Sequence, residues 1–120
     1  MNNSTVSVSV IIPVHNQEIY ISRCLRSILD QSLERKEYEI IVINDGSKDK
    51  TERILKTFKN HIKIITNKRN KGLAFSLNQG IESSKGRFIV RLDSDDYVNR
   101  EYLKILQMYL LYNNESNAVS

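Results

Sequence analysis

Apolar segments typical of β-strands alternate along the whole chain with segments whose apolar residues recur at helical spacing. Valine and isoleucine dominate the strand-like segments, and branched side chains of this kind favour a pleated sheet. Four strands are predicted, at residues 6–14, 38–43, 62–66 and 87–92. Each is followed by a helical pattern, and this order indicates a parallel sheet with right-handed crossovers. We therefore predict an α/β fold, a three-layer sandwich whose mainly parallel strands have the spatial order 3-2-1-4.

Capping residues and apolar periodicity locate the four predicted helices. Asn16 is predicted to cap the first helix, which runs to about Gln31. Asp49 is predicted to cap the second, with Glu52 completing a capping box, and Asn99 to cap the last. The inward faces of the third and fourth helices are predicted to consist of Leu73, Leu77 and Ile81, and of Leu103, Leu106 and Leu110.

The chain is long enough for one domain, which we predict to span residues 1–120. It has 120 residues, of which 40% are hydrophobic, and we expect residues 1–5 and 113–120 to be frayed. No run of about 18 apolar residues is present, and the first nine residues do not have the pattern of a signal peptide. Cys24 is the single cysteine, which excludes an internal disulfide and indicates a reducing, cytoplasmic setting.

Positive charge is concentrated in the middle of the sequence. The formal net charge is +4, and nine lysines and arginines lie between Lys48 and Lys71. Such a field attracts nucleic acid, an anionic membrane or a phosphorylated small molecule. A solvated helix face followed by a basic loop is the simpler interpretation, because no aromatic residues alternate with the charges as on a single-strand-binding surface. We expect no nucleic acid partner, and nucleic acid binding stays an alternative.

Three polar clusters follow predicted strands, at residues 13–16, 44–47 and 93–96. The carboxyl ends of parallel strands lie at the same rim of a sheet, and open sheets of this class bind ligands there. We therefore expect the three clusters to converge on one site.

The last of these clusters places three carboxylates within four residues: Asp93, Asp95 and Asp96. A divalent cation would relieve their repulsion, and oxygen ligands suit Mg²⁺ or Mn²⁺. A calcium loop is excluded, because Val98 stands where that loop needs glycine and Lys104 where it needs glutamate. The alternatives are a solvated acidic turn, or Asp96 as a helix cap.

The other two clusters and the start of the third helix allow two interpretations each. Asp45 can accept a hydrogen bond from a ring N–H of a pyrimidine base, or stabilise a turn. His15 can lie against a base or sugar, or be an exposed loop histidine. Gly72, preceded by three basic residues, offers a helix amino end that favours an anion. There is no Walker pattern and no dinucleotide-binding glycine fingerprint.

The order of these motifs is more specific than any one of them. Five segments carry it, reading VSVIIPVHN at 8–16, IVINDGSKD at 41–49, NKG at 70–72, NQGI at 78–81 and LDSDD at 92–96. In this order they closely resemble the family 2 glycosyltransferases of the GT-A fold, over residues 6 to about 112. The resemblance implies the Rossmann-like, nucleotide-sugar-binding half of such an enzyme.

The resemblance also assigns roles to residues. Pro13, His15 and Asp45 match positions that surround the base, usually uracil, although His15 stands where tyrosine is common and Asn44 where a second aspartate is common. The nucleotide-binding residues it implies are Pro13, His15, Asn16, Asp45, Gly72 and Asp93. The Asp-x-Asp motif implies metal ligation of Mn²⁺ or Mg²⁺ by Asp95, Asp93 and Asp96.

The implied activity is transfer of a sugar from a nucleotide-sugar, a UDP-sugar by expectation, to a saccharide or lipid-linked acceptor with inversion. This activity belongs to polysaccharide and cell-envelope biosynthesis. Members of the family have a second half with the acceptor site and a general base, which we expect beyond Ser120. No catalytic residue is therefore assigned here, and we expect this chain alone to have little transferase activity. We expect a fragment of a longer enzyme, peripheral association with the inner face of the membrane, and self-association through open sheet edges. A non-catalytic nucleotide-binding module is the alternative, whereas a phospho-receiver domain is disfavoured because residues 13–16 lack its acidic cluster.

Overall fold

A computed structural model describes residues 6–117, with side chains described to Asn113. Four strands, all paired in parallel, form one sheet: β1 Val8–Val14, β2 Tyr38–Asp45, β3 Lys63–Asn67 and β4 Phe88–Arg91. The helices are α1 Ile21–Leu29, α2 Thr51–Lys56, α3 Leu73–Ser83 and α4 Tyr102–Asn117, and a single 3₁₀ turn lies at Arg35–Glu37. The strand order is β3-β2-β1-β4, which confirms the predicted α/β topology.

Helices cover both faces of the sheet, so the three-layer arrangement is confirmed. One face of β1 and β2 packs with α1, and Leu55 of α2 and Leu103 of α4 join the same core cluster. The opposite face is smaller, and there Ile11, Ile41 and Ile43 pack with Leu77 of α3. The central strands β1 and β2 are therefore buried on both sides, as their nearly continuous apolar sequence predicts.

The packing face of α3 differs from the predicted leucine stripe. Leu73 and Ile81 are 49% and 47% exposed, whereas Ser76 and Gly80 are buried against the sheet. An ideal Cβ on Gly80 would lie 2.5 Å from Cγ2 of Ile11, so only a residue without a side chain allows this approach. Leu77 packs against the sheet as predicted, but the prediction was wrong for Leu73 and Ile81, because the small residues Ser76 and Gly80 lie against the sheet in their place.

The predicted start of α1 is also wrong, and the capping box predicted for α2 is not formed, although Asp49 lies at the start of α2 as predicted. Asn16 does not cap α1, which begins at Ile21, and its φ of 52° is left-handed. In α2, Asp49 accepts a 2.9 Å hydrogen bond from the Thr51 amide, but Glu52 forms a 3.7 Å ion pair with Lys56 in place of the reciprocal bond of a capping box. In both cases the predicted capping side chain or its partner binds a different group.

The last helix is longer than predicted. Its inward residue Leu103 is fully buried and Leu106 packs against the core, as expected. The start is close to the prediction, because the Asn99 side chain accepts a 2.9 Å hydrogen bond from the Glu101 amide. The helix continues to Asn117 and so includes the first residues of the polar tail, whose fraying stays a prediction. The predicted fraying of residues 1–5 and 118–120 lies outside the described residues.

Within residues 6–117, no helix combines the length and apolar character needed to cross a membrane.

Candidate functional site

A cleft of about 490 Å³ lies at the carboxyl rim of the sheet, beside the amino end of α3. It brings together most of the residues singled out in the sequence. The lining residues are Pro13, Val14, His15, Gln17, Asp45, Asn70, Gly72, Leu73, Ser76, Arg91, Asp93, Ser94 and Asp95. Two candidates do not line the cleft. Asn16 lies next to it in the loop after β1, and Asp96 is the last residue of the turn at residues 93–96, which we call the acidic turn.

Asp45, at the end of β2, is only 5% exposed and its carboxylate is held by three donors. Oδ1 accepts hydrogen bonds from the Lys71 amide at 2.8 Å and from Nδ2 of Asn67 at 3.0 Å. Oδ2 accepts one from the Gly72 amide at 2.9 Å. Burial alone would raise the pKa of Asp45, but the hydrogen bonds from Lys71, Asn67 and Gly72 outweigh it and hold the pKa below its ordinary value.

Two glycines allow the loop before α3 to reach Asp45. Gly46 has a φ of 72°, and a Cβ there would collide with the backbone of Arg69 and Asn70. Gly72 has a φ of 99°, a left-handed conformation that L side chains rarely adopt. The carboxylate of Asp45 thus fixes the amino end of α3 at the cleft, and both glycines are needed for that contact.

His15 is exposed, and its ring connects the ends of β1 and β2. Its Nδ1 lies 2.8 Å from the carbonyl oxygen of Asp45, which can only accept, so Nδ1 carries the proton. Nε2 then accepts a 3.2 Å hydrogen bond from Nδ2 of Asn16. The ring is therefore held at the cleft in one tautomer, with both nitrogens already hydrogen-bonded.

Asn16 belongs to a set of hydrogen bonds that joins the loop after β1 to the loop after β2. Its amide donates to the Ser47 hydroxyl at 2.9 Å, and its Oδ1 accepts from the Lys48 amide at 2.8 Å. In the same two loops, the Glu18 amide donates to Oδ2 of Asp49 at 3.2 Å, and Oε1 of Glu18 accepts from the Lys50 amide at 2.9 Å. The polar atoms of Asn16 are therefore used within the protein, which explains why it lies beside the cleft and does not line it.

The acidic turn follows β4 and closes with a 3.0 Å hydrogen bond from the Asp96 amide to the Asp93 carbonyl. Carboxylate oxygens of the three aspartates lie within 4.8 Å of one another, and all three residues are exposed. Asp96 does not cap α4, which begins six residues later at Tyr102. The set offers a hard cation three oxygen ligands on one open surface, which is the donor chemistry that Mg²⁺ and Mn²⁺ take.

Residues of α1 hold the acidic turn in place. Arg23 donates to the Asp95 carbonyl at 3.2 Å, and its guanidinium lies 4.4 Å from the ring centre of Tyr97. The buried thiol of Cys24 lies 3.6 Å from the Asp93 carbonyl. Burial, together with the carboxylates of the turn, raises the pKa of this thiol to about 12, so Cys24 is an unreactive packing residue.

Sequence interpretation assigned no role to several polar residues of the cleft, among them Arg91 and Ser76. Arg91, on β4, contacts Oδ1 of Asp93 through Nη2 at 3.0 Å and Nε at 3.1 Å. Ser76, on α3, is fully buried, and its hydroxyl has no hydrogen-bond partner in the described part of the chain. Alternation along β4 places Arg91 on the α3 face of the sheet, opposite to Val90 and Leu92, so its position could have been deduced from the strand pattern.

The nine lysines and arginines of the basic stretch are all exposed. They lie on α2, in the segments just before and after it, on β3 and in the loop before α3. Lys71 reaches the cleft region, where its amide holds Asp45, and its ammonium lies 5.4 Å from the ring centre of Phe75. The stretch is a solvated surface that ends at the cleft.

Comparison with known proteins gives consistent matches. The sequence model of Glycosyl transferase family 2 matches residues 9–120. The putative glycosyltransferase EpsH of Bacillus subtilis is 36% identical over 118 residues, which are 96% of this chain and 33% of EpsH. The poly(ribitol-phosphate) beta-N-acetylglucosaminyltransferase TarS of Staphylococcus aureus is 33% identical over 99 residues, which are 80% of this chain and 17% of TarS.

Solved structures match as well. The crystal structure of residues 1–349 of S. aureus TarS in complex with UDP-GlcNAc superposes with a TM-score of 0.84 at 31% identity. The match covers 91% of this chain and 32% of the TarS chain. The chain therefore spans about a third or less of the length of the relatives it matches.

Proposed function

Because this chain belongs to glycosyl transferase family 2, we propose that its cleft binds the nucleotide part of a UDP-sugar together with a divalent cation. One observation carries the proposal: a single cleft joins the buried carboxylate of Asp45 to the acidic turn with Asp93 and Asp95. The complex of the related TarS with UDP-GlcNAc supports a uridine donor.

Asp45 and its neighbours would bind the base end of the nucleotide. Oδ2 of Asp45 accepts one hydrogen bond in the protein and Oδ1 accepts two, so Oδ2 keeps a lone pair for a ring N–H. Pro13 lines the cleft beside it, and the ring of His15 is held in place at the same end. A pyrimidine with one N–H fits this set of groups.

Asp95, Asp93 and Asp96 would hold the cation. When bound, the cation would offset negative charge on the departing nucleoside diphosphate. The chain's own residues bring three carboxylates together on a turn that Arg23 and Cys24 fix to α1. We propose Asp95 as the principal ligand, with Asp93 nearer the ribose.

The acceptor, the general base and the inverting outcome belong to the proposal for the whole enzyme. The relatives are longer than this chain, and TarS is named for adding a sugar to poly(ribitol-phosphate), so we propose a cell-envelope polymer or lipid-linked acceptor. We also propose a cytoplasmic site of action at the inner face of the membrane. Within the described residues β4 pairs only with β1, and its open edge supports the proposal of association with further protein, including a second copy.

The experiment is a calorimetric titration of UDP into the protein with Mn²⁺ and with a chelator. UDP and the cation should bind cooperatively, because the diphosphate supplies ligands and the cation offsets its charge. Asp95→Asn keeps the shape but removes one charge, so it should abolish the Mn²⁺ dependence of UDP binding and leave the circular dichroism spectrum unchanged.

Asp30→Asn is the matched control, since Asp30 is an exposed aspartate that pairs with Arg100 at 3.6 Å on the surface and does not line the cleft. This variant should bind UDP as the wild type does. Equal UDP affinity of the wild type with Mn²⁺ and with the chelator would show that the cation assignment is wrong.

A further inference from the structure

Arg91 is placed to act on both the acidic turn and the rest of the cleft. It is the last residue of β4, pairs in register with Ile11 of β1, and lines the cleft. Both of its described donors, Nε and Nη2, contact the same atom, Oδ1 of Asp93. The guanidinium thus neutralises one carboxylate of the three that would hold a cation.

This contact and a cation use the same carboxylate. Oδ1 of Asp93 already receives two N–H groups, so a cation that takes this oxygen must displace them. A guanidinium released in this way would still line the cleft with its positive charge. The planar N–H donors of a guanidinium bind phosphate oxygens well, so the released guanidinium would form hydrogen bonds with the diphosphate.

We propose that Arg91 couples cation binding to nucleotide binding: it competes with the cation for Asp93 and then contacts the diphosphate. The inference rests on the proposed function. Arg91 weakens cation binding when no nucleotide is present, because its contact occupies Oδ1 of Asp93 and offsets the negative charge of that carboxylate. With UDP present it strengthens the complex, because the guanidinium exchanges a carboxylate oxygen for a phosphate oxygen.

The two effects have opposite signs, and a purely structural role would not produce them. In Arg91→Gln, the affinity for Mn²⁺ alone should rise about two- to fivefold, the range for loss of a half-exposed ion pair. The affinity for UDP in saturating Mn²⁺ should fall about tenfold, as expected for loss of one charged hydrogen bond. Calorimetry with Mn²⁺ alone, and with UDP in Mn²⁺, measures both.

Two further variants make the test specific. Arg87→Gln removes the same charge from an exposed arginine just before β4, where it lies 5.2 Å from the ring centre of Phe88, and it should change neither affinity. Arg91→Lys keeps the charge but loses the second donor to Oδ1, so both affinities should lie between those of the wild type and Arg91→Gln.

The inference is overturned if Arg91→Gln changes both affinities in the same direction, or changes neither, in a wild type that binds UDP cooperatively with Mn²⁺. If the wild type itself shows no cooperativity, the proposed function fails and this inference fails with it. Since Arg91→Lys retains the charge and the aliphatic stem, a loss of folding confined to Arg91→Gln leaves the Lys variant to decide between the outcomes.

Discussion

Replacing Asp45 by asparagine tests whether one carboxylate both holds the loop before α3 and serves the base. The change keeps the size of the side chain but turns one acceptor oxygen into an amide donor. Whichever way the amide is oriented, its NH₂ faces at least one N–H group among Lys71, Gly72 and Asn67. One charged hydrogen bond is lost and a buried donor is left unpaired, so we expect the free energy of unfolding to fall by about 2 to 4 kcal/mol.

Nucleotide binding should weaken together with stability. Asp45 fixes the amide of Gly72 and with it the start of α3, and Asp45 also lines the cleft in which the base is proposed to bind. Loss of one charged hydrogen bond corresponds to about 1.5 to 3 kcal/mol, or roughly a tenfold to hundredfold weaker affinity for UDP. Urea unfolding gives the first quantity and calorimetry at a temperature where the variant is folded gives the second.

The same carboxylate predicts a pH dependence with a definite sign. The pKa of Asp45 is lower in the folded protein than its ordinary value of 3.8. Its contribution to stability is therefore complete above the ordinary value and is lost as the pH falls through the folded pKa. Asp45→Asn cannot titrate at this position, so the stability difference between wild type and variant should be largest near neutral pH and should narrow below about pH 4.

Asp49→Asn is the control for the effects of Asp45→Asn on stability and on UDP affinity. Asp49 also accepts backbone hydrogen bonds, from Thr51 at 2.9 Å and Glu18 at 3.2 Å, but it does not line the cleft. Its replacement should lower stability and leave the affinity for UDP unchanged. The reasoning is refuted if Asp45→Asn is as stable as the wild type, or if Asp49→Asn weakens UDP binding to the same extent.

Two predictions concern the packing of α3. Ser76→Ala removes a buried hydroxyl without a partner and introduces a better helix former, so it should raise the free energy of unfolding by about 1 to 2 kcal/mol; a lower midpoint in urea would contradict this. Gly80→Ala places a methyl group 2.5 Å from Cγ2 of Ile11. Although alanine is the better helix former by about 1 kcal/mol, this clash should lower the free energy of unfolding by about 1 to 3 kcal/mol. Glu82→Ala on the exposed face of α3 is the control and should have little effect.

The strands were easier to predict from the sequence than the ends of the helices. Both central strands are buried on their two faces, so valine and isoleucine fill them almost without interruption. The start of α1 depends on hydrogen bonds between loops that are distant in the sequence, such as the one from the Lys48 amide to Oδ1 of Asn16. A side chain that satisfies a distant amide cannot also cap its own helix, and local sequence gives no sign of which it does.

In the candidate site, too, some features could be predicted from the sequence and others could not. Position at the carboxyl end of a strand was sufficient to bring Asp45 and Asp93 to one cleft. The internal partners of Asp45 were not predicted, because Lys71 and Gly72 reach it only through a loop that passes over Gly46. The pattern of residue types indicates which groups share a rim, whereas hydrogen-bond partners depend on the path of the loops.

The distribution of charge in the cleft predicts the orientation of the proposed nucleotide. The charge of Asp45 is stabilised by three N–H donors and that of Asp93 by Arg91, whereas no hydrogen bond or salt bridge within residues 6–113 engages the carboxylates of Asp95 and Asp96. A diphosphate near the acidic turn brings further negative charge close to these carboxylates, and a cation must offset the repulsion. A neutral base beside Asp45 needs no such compensation. The nucleotide is therefore expected to bind with its base at Asp45 and its diphosphate at the acidic turn. It follows that Mn²⁺ should strengthen the binding of UDP much more than that of uridine, which has the base but no diphosphate.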